Sequence, residues 1–139
     1  MAISASVGAS SPCSLAPWLS VRDSERAVEF YQSALGAIEV YRLEGAPGEG
    51  VVARLSVHGA EFWLSNESPE HGNHSPESLG GSTARMILTV PEPDAVFARA
   101  ISAGAKEVYP VSEEYGWRVG RVVDPFGHHW EIGRPFSAA

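Results

Sequence analysis

The chain has 139 residues and a formal net charge of -7, with 44% hydrophobic and 19% charged residues. A chain of this length can bury a core unaided, and 14 glycines with 10 prolines are typical of a domain with many turns. The acidic balance and scattered basic residues argue against nucleic acid or an anionic membrane as a partner. The single cysteine, Cys13, excludes an internal disulfide and a cysteine metal cluster, so we expect a cytoplasmic protein.

Residues 1–14 are small and polar-leaning. They lack the positive segment and long apolar run of a signal peptide, so we expect a disordered lead-in. Residues 136–139 are expected to form a tail. No run approaches the roughly 20 apolar residues of a membrane span.

The chain then reads as a strand, a helix and three further strands. A strand predicted at 15–22 stops at Asp23 and Ser24, either of which can cap a helix. Apolar residues recur at helical spacing as far as Leu35, and Gly36 predicts the helix end. Three β-rich runs separated by turn residues follow, at 37–43, 51–58 and 61–65.

After the long loop 66–82 the same order restarts. A strand is predicted at 83–90, and Pro93 and Asp94 suit the positive end of a helix whose apolar face ends before Gly104. Three more strands are predicted at 106–111, 117–123 and 128–132.

Short letter matches between the two halves support an internal repeat. Ala27-Val28 matches Ala95-Val96, and Gly36-Ala37 matches Gly104-Ala105 at the same offset. We therefore predict an α+β fold of two tandem β-α-β-β-β units within one domain. The predicted boundaries are 15–65 and 83–133 for the units, 66–82 for the joining loop and 15–135 for the domain.

These elements resemble the vicinal oxygen chelate superfamily, which includes glyoxalase I, extradiol dioxygenases, fosfomycin-modifying enzymes and bleomycin-binding resistance proteins. The residues that carry the resemblance are Val21 to Tyr31 with Leu35-Gly36, Ala103-Gly104-Ala105, and the DPFGHHWE segment from Asp124 to Glu131. The D-P-F-G-H-x-W wording and the opening P-W-L-S-V are closest to the PhnB-like branch. The resemblance implies a glyoxalase-like curved sheet that bears a cleft, often built from two chains.

The resemblance also implies where a metal would bind. In metal-dependent members each unit contributes one ligand from its first strand and one from its last. These positions fall here on Ala16, on or next to Trp63, on Arg85 or Ala84, and on Glu131. One oxygen ligand cannot hold a divalent metal that takes about four to six donors. We therefore expect that the inherited metal site is absent and that no cofactor is bound.

Strand alternation sorts the polar residues of the last strand. Trp130 and Ile132 share the side under a helix, whereas His129 and Glu131 share the other side and face the cleft. His128 falls with Trp130 or within the turn. The segment before the strand, DPFG, predicts a type I turn.

The simplest interpretation of His129 and Glu131 is a hydrogen-bonded polar pair that lines the groove. One alternative is a rearranged divalent-metal site completed by Glu61 or His58. Another is a metal-free acid and base pair. On loop 66–82, His71 and His74 are interpreted as solvated residues, and the length of the loop raises the option of a lid.

Applied to every strand, alternation gives an apolar helix side and a mixed cleft side. The predicted ligand-binding residues are Trp18, Ser20, Arg54, Glu61, Trp63, Arg85, Thr89, Arg118, His129 and Glu131. Tryptophans mixed with charges and hydroxyls are typical of a small-molecule pocket, and Trp63 offers a stacking surface. The tryptophans could equally bury a homodimer interface.

The arginines in this set permit two interpretations. Arg54, Arg85 and Arg118 could recognise a carboxylate or phosphate, or they could pair with Glu61 and Glu131. Our overall expectation is a homodimer that binds a small aromatic or amphipathic molecule in a cleft, without the metal. The alternatives are a divalent-metal-dependent lyase or isomerase that uses Glu131 and His129, and a domain that only dimerises or binds a partner protein.

Overall fold

A computed structural model describes residues 12–136. Most of the expected lead-in, 1–11, and of the expected tail, 137–139, lies outside the described residues. The first half forms a four-stranded sheet, sheet one, with the order β1-β4-β3-β2. Its elements are β1 (Trp18–Val21), α1 (Ser24–Leu35), β2 (Ile38–Glu44), β3 (Val51–Val57) and β4 (Ala60–Asn66).

The second half repeats this arrangement as sheet two, with the order β5-β8-β7-β6. Its elements are β5 (Arg85–Thr89), α3 (Pro93–Ala103), β6 (Lys106–Glu114), β7 (Trp117–Val123) and β8 (His129–Pro135). The connection carries a 3-10 turn, Pro69–His71, and a one-turn helix, α2 (Pro76–Leu79). The predicted α+β class is confirmed. No described helix is long and apolar enough to cross a membrane.

Local interactions explain where α1 begins and ends. Asp23 is the residue that caps the helix, because its side chain accepts the backbone N–H of Arg26 at 3.1 Å. Gly36 ends the helix in the left-handed conformation, with φ of 67°. Ser24 has a different role: it is buried, and its Oγ accepts the N–H of Val51 on β3 at 2.8 Å. The start of the helix is thereby fixed to the sheet that it covers.

The two sheets have matching registers. In each, the first strand runs parallel to the last, with Trp18 opposite Trp63 in sheet one and Arg85 opposite His129 in sheet two. Apolar side chains on the helix sides are buried, as the alternation predicted for β1, β4 and β8: Leu19, Val21, Phe62, Leu64, Trp130 and Ile132. We call the side of each sheet that faces away from α1 and α3 its open face.

Several strand ends differ from the prediction. β1 starts only at Trp18, whereas β6 continues to Glu114 and β8 to Pro135. The extension of β8 depends on backbone pairing with β7, which continues to the pair Trp117 and Pro135. The hydrophobic pattern ends earlier and could not reveal it.

The two units pack against each other through their helix sides. The ring of Tyr31 on α1 lies 5.5 Å from that of Trp130 on β8, and Phe62 on β4 lies 5.4 Å from Trp130. The helices also meet directly, where Arg99 Nε donates to the carbonyl oxygen of Ser33 at 2.7 Å. The shared core therefore lies between the units and leaves both open faces uncovered.

The DPFG segment forms the predicted turn, closed by Gly127 N–H donating to the Asp124 carbonyl at 3.1 Å. The Asp124 side chain is buried and accepts the N–H groups of Phe126 and His128. Trp130 Nε1 donates to its second oxygen at 2.9 Å, and the hydroxyl of Tyr31 donates to the same oxygen. The sequence analysis gave this turn no functional role. In the structure its buried carboxylate links the two units by a hydrogen bond.

Candidate functional site

The open face of sheet one carries an aromatic cluster. The rings of Trp18 and Trp63 stack with centroids 5.3 Å apart and planes 8° apart, and Tyr41 meets Trp63 edge-on at 5.7 Å. Trp18 Nε1 donates to Ser65 Oγ at 2.8 Å, which fixes the orientation of its ring. Trp18 is nevertheless 54% exposed. A large aromatic surface is therefore available to a ligand or to another chain.

Charged groups border this cluster. The guanidinium carbon of Arg54 lies 5.2 Å from the Trp63 ring centroid, within reach of a cation–π contact. Its Nε is 3.6 Å from Glu61 Oε1. Ser20 lies on the same strand and face as Trp18, and its backbone oxygen is 2.9 Å from Nε2 of the buried His128. All five residues predicted in this half lie on sheet one, and Arg54 pairs with a glutamate.

The open face of sheet two centres on Glu131. Arg85 Nε and Arg121 Nη2 lie 2.6 and 2.8 Å from the same oxygen, Oε2 of Glu131. Burial alone would raise the pKa of Glu131, but the hydrogen bond from Arg121 and the charge of Arg85 outweigh it, so the pKa lies below its usual value. The carboxylate is ionised at neutral pH and is shared between two arginines.

A pocket of about 480 Å³ opens on this face. Tyr109 forms one wall and lies 5.6 Å from the guanidinium carbon of Arg121. Its lining combines aromatic and aliphatic side chains with the charged groups around Glu131, and includes Arg85, Ile87, Tyr109, Ser112, Glu114, Tyr115, Trp117, Val119, Arg121 and Glu131.

His129 lies on the same face as Glu131, as predicted, and opposite Arg85 in the register. The expected hydrogen bond between His129 and Glu131 is not formed, and Oε2 of Glu131 contacts Arg85 and Arg121 instead. His129 Nδ1 is buried and has no hydrogen-bond partner in the described part of the chain. Thr89 is exposed at the end of β5, opposite Gly133.

The prediction for Arg118 is wrong. Its side chain lies on the helix side of β7, where Nε and Nη2 each contact an Asp94 oxygen of α3 at 2.7 Å. Hydrogen bonds from Arg118 lower the pKa of Asp94 below its usual value. Alternation explains the error, since Val122 is buried on the helix side and residues an even number of positions away share that side.

The arginine of β7 that does reach the open face is Arg121, which the sequence reasoning missed. It lies directly opposite Glu131 in the register of β7 and β8. Val122 is buried on the helix side, so its neighbour Arg121 must face the open side. This argument from alternation would have identified Arg121. Tyr41 and Tyr109 were also missed, because both lie on edge strands interrupted by a register shift that disturbs simple alternation.

With this geometry established, comparison with known proteins identifies the family. Residues 14–132 match the family model of the Glyoxalase/Bleomycin resistance protein/Dioxygenase superfamily. The chain belongs to this superfamily. Membership in the PhnB-like branch stays a prediction.

Relatives of the chain cover most of its length. An uncharacterized protein of Mycobacterium bovis is 41% identical over 125 residues, which is 87% of this chain and 82% of that protein. The X-ray structure of an Arabidopsis thaliana gene product has a TM-score of 0.65 and 30% identity, with 87% of this chain and 96% of that chain covered. TioX from Micromonospora sp. ML1 has a TM-score of 0.68 and 26% identity, covering 88% of this chain and 99% of that one.

A more distant solved structure shares the fold alone. TnmS3, described as an antibiotic binding protein from a Streptomyces species, has a TM-score of 0.69 at 20% identity, with 90% of this chain and 98% of that chain covered.

The residues at the metal-ligand positions of the superfamily do not fit a divalent metal. Ala16, Trp63 and Arg85 stand at three of the four positions, and the remaining carboxylate, Glu131, contacts two guanidinium groups. Across residues 12–136 no group of three or more His, Cys, Asp or Glu side chains is placed to hold an ion. Within one chain, Glu61 and His58 do not form such a group with Glu131 and His129. A cation beside Glu131 would also be repelled by both arginines.

Proposed function

We propose that this chain binds a small aromatic or amphipathic molecule in the pocket on the open face of sheet two, without a metal. The observation that carries the proposal is the pocket itself. Its volume of about 480 Å³ lies within the range of small-molecule sites, and its lining includes the aromatic rings of Tyr109 and Trp117 and the aliphatic side chain of Ile87. The charged groups line the same pocket.

The polar groups of this pocket are held in place before a ligand arrives. Arg121 donates a hydrogen bond to Glu131, and its guanidinium lies against the ring of Tyr109. Side chains that are already ordered lose little entropy on binding, which favours affinity. This arrangement supports recognition of a ligand by fixed contacts.

The second part of the proposal is that two copies of the chain associate through their open faces. The exposed aromatic cluster of sheet one has no cover within the described chain, since Trp18 and Tyr41 remain 54% and 44% exposed. Exposed apolar surface of this kind marks interaction sites. If sheet one of one copy faced sheet two of the other, the aromatic cluster would lie beside the ligand pocket. The antibiotic-binding description of TnmS3, which has the same fold, agrees with a binding role.

Tryptophan fluorescence tests the binding proposal directly, because Trp117 lines the pocket. We expect saturable quenching when a panel of neutral and charged aromatic compounds is titrated into the protein. Tyr109→Ala removes one wall of the pocket and is expected to weaken binding by about tenfold or more. Leu79→Ala is the matched control, because Leu79 is exposed on α2 outside the pocket.

Two results would contradict the proposal. One is the absence of quenching by every compound of the panel. The other is equal affinity of Tyr109→Ala and the wild-type protein for compounds that do bind.

A further inference from the structure

A small polar pocket of about 190 Å³ adjoins the large one and shares Arg85 and Arg121 with it. Its remaining lining residues are Ser82, Thr83, Ala84 and His129. We infer that this polar pocket binds an anionic group of the ligand, a carboxylate or a phosphate. The inference rests on the proposed function and specifies the chemical class of the ligand.

The charge balance of the polar pocket favours an anion. Two guanidinium groups line it, and among residues 12–136 the carboxylate in contact with both of them is that of Glu131. No acidic side chain is among its lining residues. In a chain with a net charge of -7, this is a local positive site in an otherwise acidic protein.

The arginines keep hydrogen-bonding capacity for a ligand. The shortest contacts to Glu131, from Arg85 Nε and Arg121 Nη2, both end on the same oxygen, Oε2. A guanidinium carries five N–H donors, and its planar fork suits the oxygens of carboxylates and phosphates. Arg121 Nε is buried without a hydrogen-bond partner in residues 12–136, and so is His129 Nδ1. Because buried polar atoms are normally hydrogen-bonded, these two atoms favour the binding of a ligand that brings a further acceptor, with a small rearrangement of the side chains around that ligand.

Arg85 and Arg121 connect the polar pocket to the apolar one. Both line each of the two pockets. A molecule whose apolar body packs against Ile87 and Tyr109 can therefore place an anionic end between the arginines. The ligand class that fits both pockets is an aromatic or amphipathic acid, rather than a neutral or cationic compound.

Matched probes test the inference. The affinities of 2-naphthoate, 2-naphthamide and naphthyl phosphate are to be measured by calorimetry at low and high salt. Because charged hydrogen bonds add to the shared apolar contacts, we expect an anion to bind at least about tenfold tighter than the amide, with a preference that falls as salt rises. The anion that binds more tightly distinguishes carboxylate from phosphate recognition.

Substitutions of three arginines on sheet two test which side chains recognise the anion, and Arg118 is the control. In Arg121→Gln and Arg85→Gln the preference for the anion should fall to about twofold or less. Arg118→Gln should retain it, because Arg118 lies on the same strand as Arg121 but on the opposite side, paired with Asp94. Circular dichroism establishes that each variant folds, and the more exposed Arg85 provides a second test if Arg121→Gln does not fold.

The outcomes separate the two proposals. Equal binding of the amide and the anions, or a preference that survives both Arg85→Gln and Arg121→Gln, would overturn the anion inference and leave the proposed function standing. Failure of all three probes to bind would overturn the proposed function and the inference with it.

Discussion

The hydroxyl of Tyr31 on α1 donates a hydrogen bond to the carboxylate of Asp124, which begins the turn before β8. Both residues are buried, and they belong to different units of the repeat. Because β8 carries Glu131, the same contact that joins the units also fixes the strand on which the ligand pocket depends. The integrity of the pocket is thereby coupled to the packing between the units.

Removing this contact should destabilise the protein. Tyr31→Phe keeps the ring and its packing but leaves one buried acceptor less satisfied, so we expect a loss of about 1–2 kcal/mol in the free energy of unfolding. Urea denaturation measures it. Tyr115→Phe is the control, because Tyr115 is 98% exposed. Equal stability of Tyr31→Phe and the wild type would show that the hydrogen bond contributes nothing net.

Stability should also fall at alkaline pH. Burial, the nearby charge of Asp124 and the hydrogen bond to it raise the pKa of Tyr31 well above its ordinary value of 10.0. The folded state therefore keeps the phenolic proton when the unfolded chain has lost it. The raised pKa of Tyr31 therefore adds to the free energy of unfolding below a pH of about 10. This stabilisation is lost as the pH rises further, by up to about 1.4 kcal/mol per pH unit. Tyr31→Phe should lack this component in a pH series of unfolding measurements, and parallel slopes for the two proteins would be the contrary result.

Glu131→Gln distinguishes an anion site from a metal site. Because Glu131 neutralises part of the charge of Arg85 and Arg121, its replacement should tighten binding of 2-naphthoate by about threefold to tenfold. A metal site would behave in the opposite way: added Zn²⁺ or Mn²⁺ would raise the melting temperature of the wild type and not that of Glu131→Gln. We expect no such difference, and calorimetry with thermal unfolding measures both quantities.

The dimer proposal is tested by sedimentation. A glutamate introduced in the exposed aromatic cluster of sheet one, as in Tyr41→Glu, should shift the protein from dimer to monomer, since Tyr41 is 44% exposed in the single chain. Leu79→Glu introduces the same charge at an exposed residue of α2 and should leave the dimer intact. A wild-type protein that sediments as a monomer at every concentration would exclude the association.

Most of the fold could be predicted from the sequence, because the patterns that mark helix ends and strand faces are local. The helix start at Asp23 or Ser24, the stop at Gly36 and the buried alternation of β1 and β8 each follow from neighbouring residues, and the structure identifies Asp23 as the cap. What local patterns could not supply was the contact of Tyr31 with Asp124. These residues are far apart in the chain, and the DPFG letters are fully explained by a turn.

The candidate site could be predicted from the sequence only in part, for a related reason. His129 and Glu131 were placed correctly, since β8 has clear alternation between buried and open sides. Besides Arg85, Glu131 has a second partner that depends on the pairing of β7 with β8, which selects Arg121 and excludes Arg118. The sequence of β7 has an arginine on each side of the strand, Arg118 and Arg121. It does not reveal which of the two shares a face with Glu131 on the neighbouring strand.

Mapping by NMR tests the central claim, that a small molecule binds in the pocket of sheet two. Backbone amide shifts would be recorded while 2-naphthoate is titrated into the protein. We predict that the largest changes occur at residues that line the two adjoining pockets: Arg85, Ile87, Tyr109, Trp117, Arg121 and Glu131. Saturating concentrations that produce no shift, or shifts confined to α1 and the connection around α2, would contradict the account.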